Sequence, residues 1–382
     1  MAYRRIPCTF MRGGTSKALV FRRADLPADE KEWPGLFRAA MGSPDPNGRQ
    51  LDGMGGGVSS LSKVCVVGPP SRADADIDYS FFQIGIKDDL VDTSGNCGNM
   101  SSAMGPFAFD EGLAPRAEGP MASVRIHNTN TSKIILSRFP VEGGMAAVGG
   151  AQAIDGVAGT GAPVRLEFLD PGGAGTGRLL PAGGEAESEL DVPGLGRVRV
   201  TMVDAANPCV FVEAAALGRT GMELPAALDG DATCLEALEA LRRRAAVAMG
   251  IAASEAEAAR IPSIPKVAMV SAPADHPILS GDVLAAADHD IVVRMISIGI
   301  PHRAVPLTGA LCLAVAVRIP GSLPNRIARA RAGSIRIGHS SGTIEVDAEV
   351  VERDGTPFAV HGAVYRTARR LFEGNVLIPQ SV

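Results

Sequence analysis

Aromatic residues make up only 4% of this 382-residue chain, and positive charge is not in excess: 37 Lys and Arg against 42 Asp and Glu leave a formal net charge of −5. With no basic stripe to neutralise phosphates and no interleaved rings for bases to stack on, nucleic acid is not an expected partner. The six cysteines (Cys8, Cys65, Cys97, Cys209, Cys234 and Cys312) lie far apart with no CxxC pair. That spacing argues against a zinc site and against a secreted disulfide framework, so free thiols are expected. The six histidines show neither HxxxH nor HExxH spacing, which would set two imidazoles on one helical face, and no metal is expected. Long apolar runs are missing too. No window approaches the roughly 18 apolar residues of a membrane span, and the start MAYRRIPCTFMRGG lacks the apolar core of a signal peptide. The expectation is a cytoplasmic protein with no membrane partner.

What is present in quantity is turn chemistry, with 45 Gly and 27 Pro, beside 46% hydrophobic residues. A strand-rich, loop-rich fold follows, and the length suits two domains. Three segments of the first half recur in order in the second. Met11, six residues, then Ala18-Leu19-Val20-Phe21 is echoed by Met202, six residues, then Cys209-Val210-Phe211-Val212. Ser62-Lys63-Val64-Cys65-Val66-Val67 is echoed by Pro265-Lys266-Val267-Ala268-Met269-Val270, each a lysine entering a strand-like run. Cys97-Gly98 opens an Ala/Met/Phe stretch to Ala108, and Thr308-Gly309 opens Ala310 to Val317; both read as buried helices. The Gly/Ala-rich stretch from Gly172 to Glu189 marks a boundary, giving domains 1–189 and 190–371, with a strand near 372–382 returning to the first. The apolar spacing of Leu235, Leu238, Leu241, Ala245 and Met249 predicts a surface helix from Cys234 to Ala259.

Three segments carry chemistry. In Met11-Arg12-Gly13-Gly14-Thr15-Ser16-Lys17 a cation, two glycines and two hydroxyls share one turn between strands, which suits a carboxylate because glycine lets backbone N–H groups approach an anion. The loop Asp52 to Lys63 runs through glycines to Ser59, Ser60, Ser62 and Lys63. A lysine desolvated at a strand mouth can serve as a base near neutral pH. In Asp92-Thr93-Ser94-Gly95-Asn96-Cys97-Gly98-Asn99-Met100 a cysteine stands directly before a helix, where the dipole favours a thiolate or a bound carboxylate. His302, Arg303, Thr308 and Gly309 form the corresponding entrance to the second helix.

MRGGTSK, GSPDPNGRQLDGMGG, SSLSK, DTSGNCGN and the late IGHSSGT resemble the 2-methylaconitate cis-trans isomerase (PrpF) family over nearly the whole chain. The resemblance implies the diaminopimelate epimerase-like fold: α+β, two pseudo-symmetric barrel-like domains of mixed sheet, each wrapped around a central helix, with the active site in the cleft between them. It implies a cofactor-free isomerase or tautomerase. Related members, 3-methylitaconate isomerase and 4-oxalomesaconate tautomerase among them, move a proton along the allylic system of a di- or tricarboxylate.

The family's acid/base pair falls on Lys63 and Cys97, with Lys63 as base and Cys97 either returning the proton or holding a carboxylate. Arg12, Gly13, Gly14, Thr15, Ser16, Ser60, Ser62, Ser94, Asn96, Gly98, Asn99, Met100, His302, Thr308 and Gly309 are the expected substrate contacts. True epimerases of this fold use a cysteine at each helix mouth. Here Thr308 takes the second place, and Cys312 lies one helical turn further on. An amino-acid epimerase or racemase is therefore the alternative enzyme, and a catalytically silent carboxylate-binding protein the alternative outside catalysis. A homodimer is the expected assembly.

Overall fold

The computed structural model describes residues 3–379 apart from 94, 95, 298 and 331. The chain divides into two compact units, residues 1–167 with 365–382, and residues 168–364.

In the first unit, β1 (Tyr3–Gly13) and β2 (Ser16–Arg22) form a hairpin in which Met11 faces Ala18. β2 then runs parallel to β3 (Lys63–Gly68), and β3 antiparallel to β4 (Ile77–Ile84). β4 is parallel to β5 (Met121–Asn128), which turns back into β6 (Lys133–Glu142). The strand Ala368–Pro379 covers the free edge of β1. Helix α1 (Trp33–Met41) closes an aromatic cluster of Trp33, Phe37 and Phe82 on one side of the sheet. Helix α2 (Gly98–Asp110) is built largely of small and apolar residues and is buried almost throughout, touching β1, β2, β3, β5 and β6. A helix of that composition lies inside, so the strands wrap it.

The second unit repeats these connections. β7 (Gly196–Ala205) and β8 (Asn207–Glu213) form the hairpin, and β8 is parallel to β9 (Lys266–Ser271). β9 is antiparallel to β10 (Ile291–Ser297), which is parallel to β11 (Ile335–His339) before the return into β12 (Gly342–Arg353). Ser188–Val192 covers the edge of β7 as the C-terminal strand covers β1. Helix α3 (Ala232–Ala248) packs Leu238 and Leu241 onto β7 to β9 residues such as Met202, Val210 and Val267. Helix α4 (Leu307–Arg318), as apolar as α2, is buried against β7, β8 and β12.

Three expectations change in detail. Leu19 pairs with Val64 and Val210 with Val267, so Ala18 corresponds to Cys209 and the ladders match Met11 with Val203; Met202 is one residue out of step. The second hairpin turns on Ala206 alone, one residue fewer than Gly14-Thr15. The Gly172–Glu189 stretch belongs wholly to the second unit because Gly173, Gly175 and Thr176 donate backbone N–H bonds to Asp204 on β7. Helix α3 stops at Ala248, with Gly250 in the left-handed region at φ 74° just beyond it, so Glu255–Ala258 is a separate turn capped by Ser254. It is also a core element, with Cys234, Leu238, Leu241 and Ala245 buried. Among the described residues no helix is long and apolar enough to cross a membrane.

Candidate active site

In the first unit the N-terminus of α2 receives three segments the sequence singles out. Cys97 is the N-cap residue, with extended backbone, and no side chain caps the helix. The first internal bond runs from Ser101 N–H to the Cys97 carbonyl, so the amides of Gly98, Asn99 and Met100 stand ahead of the helical ladder. All six thiols are free, and Cys97 alone among them is not fully buried.

The GGTS turn abuts this end. A Cβ on Gly13 would come within 2.6 Å of the Asn99 carbonyl, and one on Gly14, at φ +51°, within 2.2 Å of Asn99 Oδ1. Only glycine allows that approach. Asn99 Nδ2 donates to Thr15 Oγ1 at 3.1 Å, and Ser16 is buried at the start of β2. Arg12 is partly committed, since Nη1 donates to the carbonyls of Gly14 and Thr367 and to Thr367 Oγ1, each at 3.0 Å. It clamps the turn to the C-terminal segment, which gives it a framework role beside any contact with an anion.

Lys63 begins β3 and is buried, with 7% exposure. Its ammonium donates to Gln83 Oε1 and lies 5.0 Å from the Phe81 ring centre. The Gln83 amide is oriented in turn by donating to the carbonyls of Ser59, at 3.1 Å, and Ser62, at 2.9 Å. Ser62 does not reach the site: it is fully buried, donates to the Ile84 carbonyl at 3.0 Å and accepts from Gln50 Nε2 at 2.8 Å. The reason is that both hydrogen bonds of the Ser62 hydroxyl are taken up inside the core, by Gln50 and the Ile84 carbonyl. Ser60 sits half-buried in the preceding turn.

Beneath the helix end, burial pushes the Cys65 thiol up; neighbouring Cys97 adds to this, while the Tyr79 hydroxyl and the Lys63 ammonium oppose it. Lys63 and Cys97 thus act on the same buried thiol from two elements. Asn96 Oδ1 accepts from Ser101 Oγ and Asn128 Nδ2, and Asn130 Nδ2 donates to the Thr93 and Phe81 carbonyls. These bonds hold Thr93 and Asn96. Met100 is fully buried, so only its backbone N–H faces the helix mouth. Ser94 lies outside the described residues.

Sequence reading missed Gln83, Asn128, Asn130 and Arg366. Arg366 Nε donates to Asn99 Oδ1 at 3.3 Å, which brings a guanidinium to the α2 end from the far C-terminal segment. No short motif marks any of them; each is placed by strand register.

In the second unit α4 also lacks a side-chain cap, with Pro306 at its N-cap position. Thr308 is half-buried in the first turn, and Gly309 backs onto Met295. Lys266 begins β9 as Lys63 begins β3; burial pushes its ammonium down, partly opposed by Cys209. Desolvation and then the Lys266 ammonium push His302 down to about 4. Cys312 is fully buried beside Cys209, with its S–H directed at the Val203 carbonyl at 3.4 Å. It presents no thiol at the α4 mouth. Among the described residues no group of three or more His, Cys, Asp or Glu side chains is placed to hold a metal ion.

Known proteins match this chain over nearly their whole length. The chain is 41% identical to the 3-methylitaconate isomerase of Eubacterium barkeri, covering 99% of this chain and 98% of that protein. It is also 41% identical to the 2-methyl-aconitate isomerase of Cupriavidus necator, covering 98% and 97%. A crystal structure of methylitaconate-delta-isomerase superposes with a TM-score of 0.89 at 40% identity, over 100% of this chain and 97% of that one. The model of the PrpF protein family matches residues 3–379, and the chain belongs to that family of isomerases.

Proposed function

We propose that the protein moves a proton between the two ends of an allylic system in a small unsaturated di- or tricarboxylate, with Lys63 as the base and Cys97 as the residue facing it. The observation that carries this reading is the uncapped α2 N-terminus, with a half-exposed thiol at its N-cap and a buried lysine at the head of the adjoining sheet. Lys63 Nζ takes a proton from a carbon next to the double bond. The electron pair spreads into a conjugated carboxylate, and the resulting dienolate is stabilised by the first-turn amides of α2 and the positive end of its dipole. Cys97 Sγ–H delivers a proton to the other allylic carbon, leaving a thiolate that recovers its proton from the Lys63 ammonium. Where the delocalised anion rotates before the proton returns, the same machinery gives cis-trans isomerisation.

A single accessible thiol favours this over epimerisation at one carbon, which needs a second thiol where Thr308 stands. The relatives at 41% identity act on different carboxylates by name, so the third substituent of the substrate is decided by pocket walls and not by this machinery. The test is incubation with 3-methylitaconate, 2-methylaconitate and 4-oxalomesaconate in deuterium oxide, followed by proton NMR. Conversion of one of them with deuterium entering an allylic carbon is expected. Failure of all three to convert or exchange would overturn the reading.

A further inference from the structure

Arg366 is the one buried guanidinium at the mouth of α2, and nothing in the catalytic scheme uses it. It is nine-tenths buried, with 9% exposure. Its Nε donates to Asn99 Oδ1 at 3.3 Å, and its Nη1 to the carbonyl of its own neighbour Tyr365 at 3.0 Å. Among the described residues no hydrogen bond is made by Nη2, and no carboxylate pairs with this guanidinium. Burial alone pushes it down to about 10, with no charge of either sign contributing.

Isolated buried cations are expensive, and native structures keep them when a counter-ion arrives from somewhere. Other arginines in the same unit show the contrast. Arg370 is paired with Glu111 and Glu373, and Arg165 with Glu167. Among the described residues Arg12, beside the GGTS turn, likewise meets no carboxylate: its Nη1 donates to two carbonyls and to Thr367 Oγ1, and the charge acting on it is that of Arg369. Asn99 ties the arrangement together, because its Oδ1 accepts from Arg366 while its Nδ2 donates to Thr15 in that turn. The fork of Arg366 is therefore fixed beside the open amides of α2, with Nη2 left to take a ligand.

We propose that Arg366 binds a carboxylate of the substrate, the one remote from the reacting allylic carbons, and so selects polycarboxylates over monocarboxylates. This rests on the reading of the α2 mouth as the substrate site. A guanidinium presents two parallel donors that match a carboxylate, and the missing counter-charge explains why the protein retains an unpaired cation there.

The test separates binding from turnover by using an inert probe, propane-1,2,3-tricarboxylate, measured by titration calorimetry on the full-length protein. Arg366→Gln is expected to weaken its binding about 10- to 100-fold, the worth of a charge-assisted pair, without lowering the melting temperature, since an unpaired buried cation is removed. A monocarboxylate should bind parent and variant alike. In turnover, KM for the accepted substrate should rise by more than kcat falls. If Arg366→Gln does not fold, Arg366→Lys is read instead; it keeps the charge without the fork and should weaken probe binding about tenfold. Binding of the probe at parental affinity by either folded variant overturns the proposal. If the parent binds the probe through Arg366 yet isomerises none of the three candidate substrates, the isomerase reading fails while the carboxylate site stands. If isomerisation proceeds and Arg366→Gln leaves probe affinity and KM unchanged, the role of Arg366 fails alone.

Discussion

Cys97 stands at the N-cap of α2 and Lys63 at the head of β3; at the matching places of the repeat, Thr308 opens α4 and Lys266 heads β9. Both helices are buried and lack a side-chain N-cap bond, so each offers the same open amides and the same dipole. The side chains differ. The first mouth has the only accessible thiol, and its lysine is steered by the Gln83 amide. The second has a hydroxyl at its entrance, and its thiols, Cys209 and Cys312, are packed out of reach. The backbone device is present in both units and the accessible thiol in the first; on the proposed function, the proton-transfer groups lie there alone. A symmetric pair of thiols would serve inversion at a single carbon, whereas one thiol with one lysine serves transfer between two carbons.

This contrast is open to mutation. Cys97→Ala should lower turnover about 100- to 10,000-fold, the range for loss of a general acid, while Thr308→Val should cost less than about tenfold; steady-state rates on the accepted substrate check both. If the two substitutions cost the same, the inequality of the mouths is lost. Gly14→Ala sharpens the comparison from the side of the turn. The added methyl would collide with Asn99 Oδ1 at a positive φ, so about 1–3 kcal/mol of stability and roughly tenfold in KM should go; denaturant titration and kinetics read the two. No equivalent cost is expected for Ala206→Gly, where the second hairpin already turns at φ 60° on a non-glycine residue.

The smallest effect concerns acid. His276 and His289 of the second unit are buried with rings 5.1 Å apart, and burial pushes both below the usual imidazole range; the positive charge of Arg294 adds to this at His276, and His276 adds to it at His289. Asp275 and Asp290 pull the other way without reversing the direction. The unfolded chain therefore takes up these protons first as pH falls below about 6.5. Their neutral forms favour folding fully above that pH, and stability falls below it by at most about 1.4 kcal/mol per pH unit per ring. Hydrogen exchange at pH 7 and pH 5.5 should show β10 and β11 losing protection before β3 and β4. Equal loss in both units would remove this distinction.

Much of this was readable from residues alone, for identifiable reasons. The two buried helices are runs of small and apolar residues opened by Cys97-Gly98 and Thr308-Gly309, and each lysine heads a β-branched run, so local pattern was enough. Glycines 13 and 14 announced a close approach because no other residue permits one. The partners that complete the site were not readable: Gln83 faces Lys63 only through the β3–β4 register, and Arg366 reaches Asn99 from 267 positions away. Ser62 illustrates the reverse error. Its neighbours in sequence suggest a ligand contact, but the turn Ser59–Leu61 delivers it into the core against Gln50 and the Ile84 carbonyl. The one-residue slip between Met11 and Met202 likewise comes from the shorter second turn, which sequence spacing alone conceals.

The central claim is that proton removal belongs to the first unit, and the two lysines at matching strand heads allow it to be tested directly. Lys63→Ala and Lys266→Ala, each verified as folded by circular dichroism, are compared for deuterium uptake into the accepted polycarboxylate in deuterium oxide. The account predicts no exchange above buffer for Lys63→Ala and exchange within about tenfold of the parent for Lys266→Ala. Parental exchange by Lys63→Ala, or silence of Lys266→Ala, would contradict it.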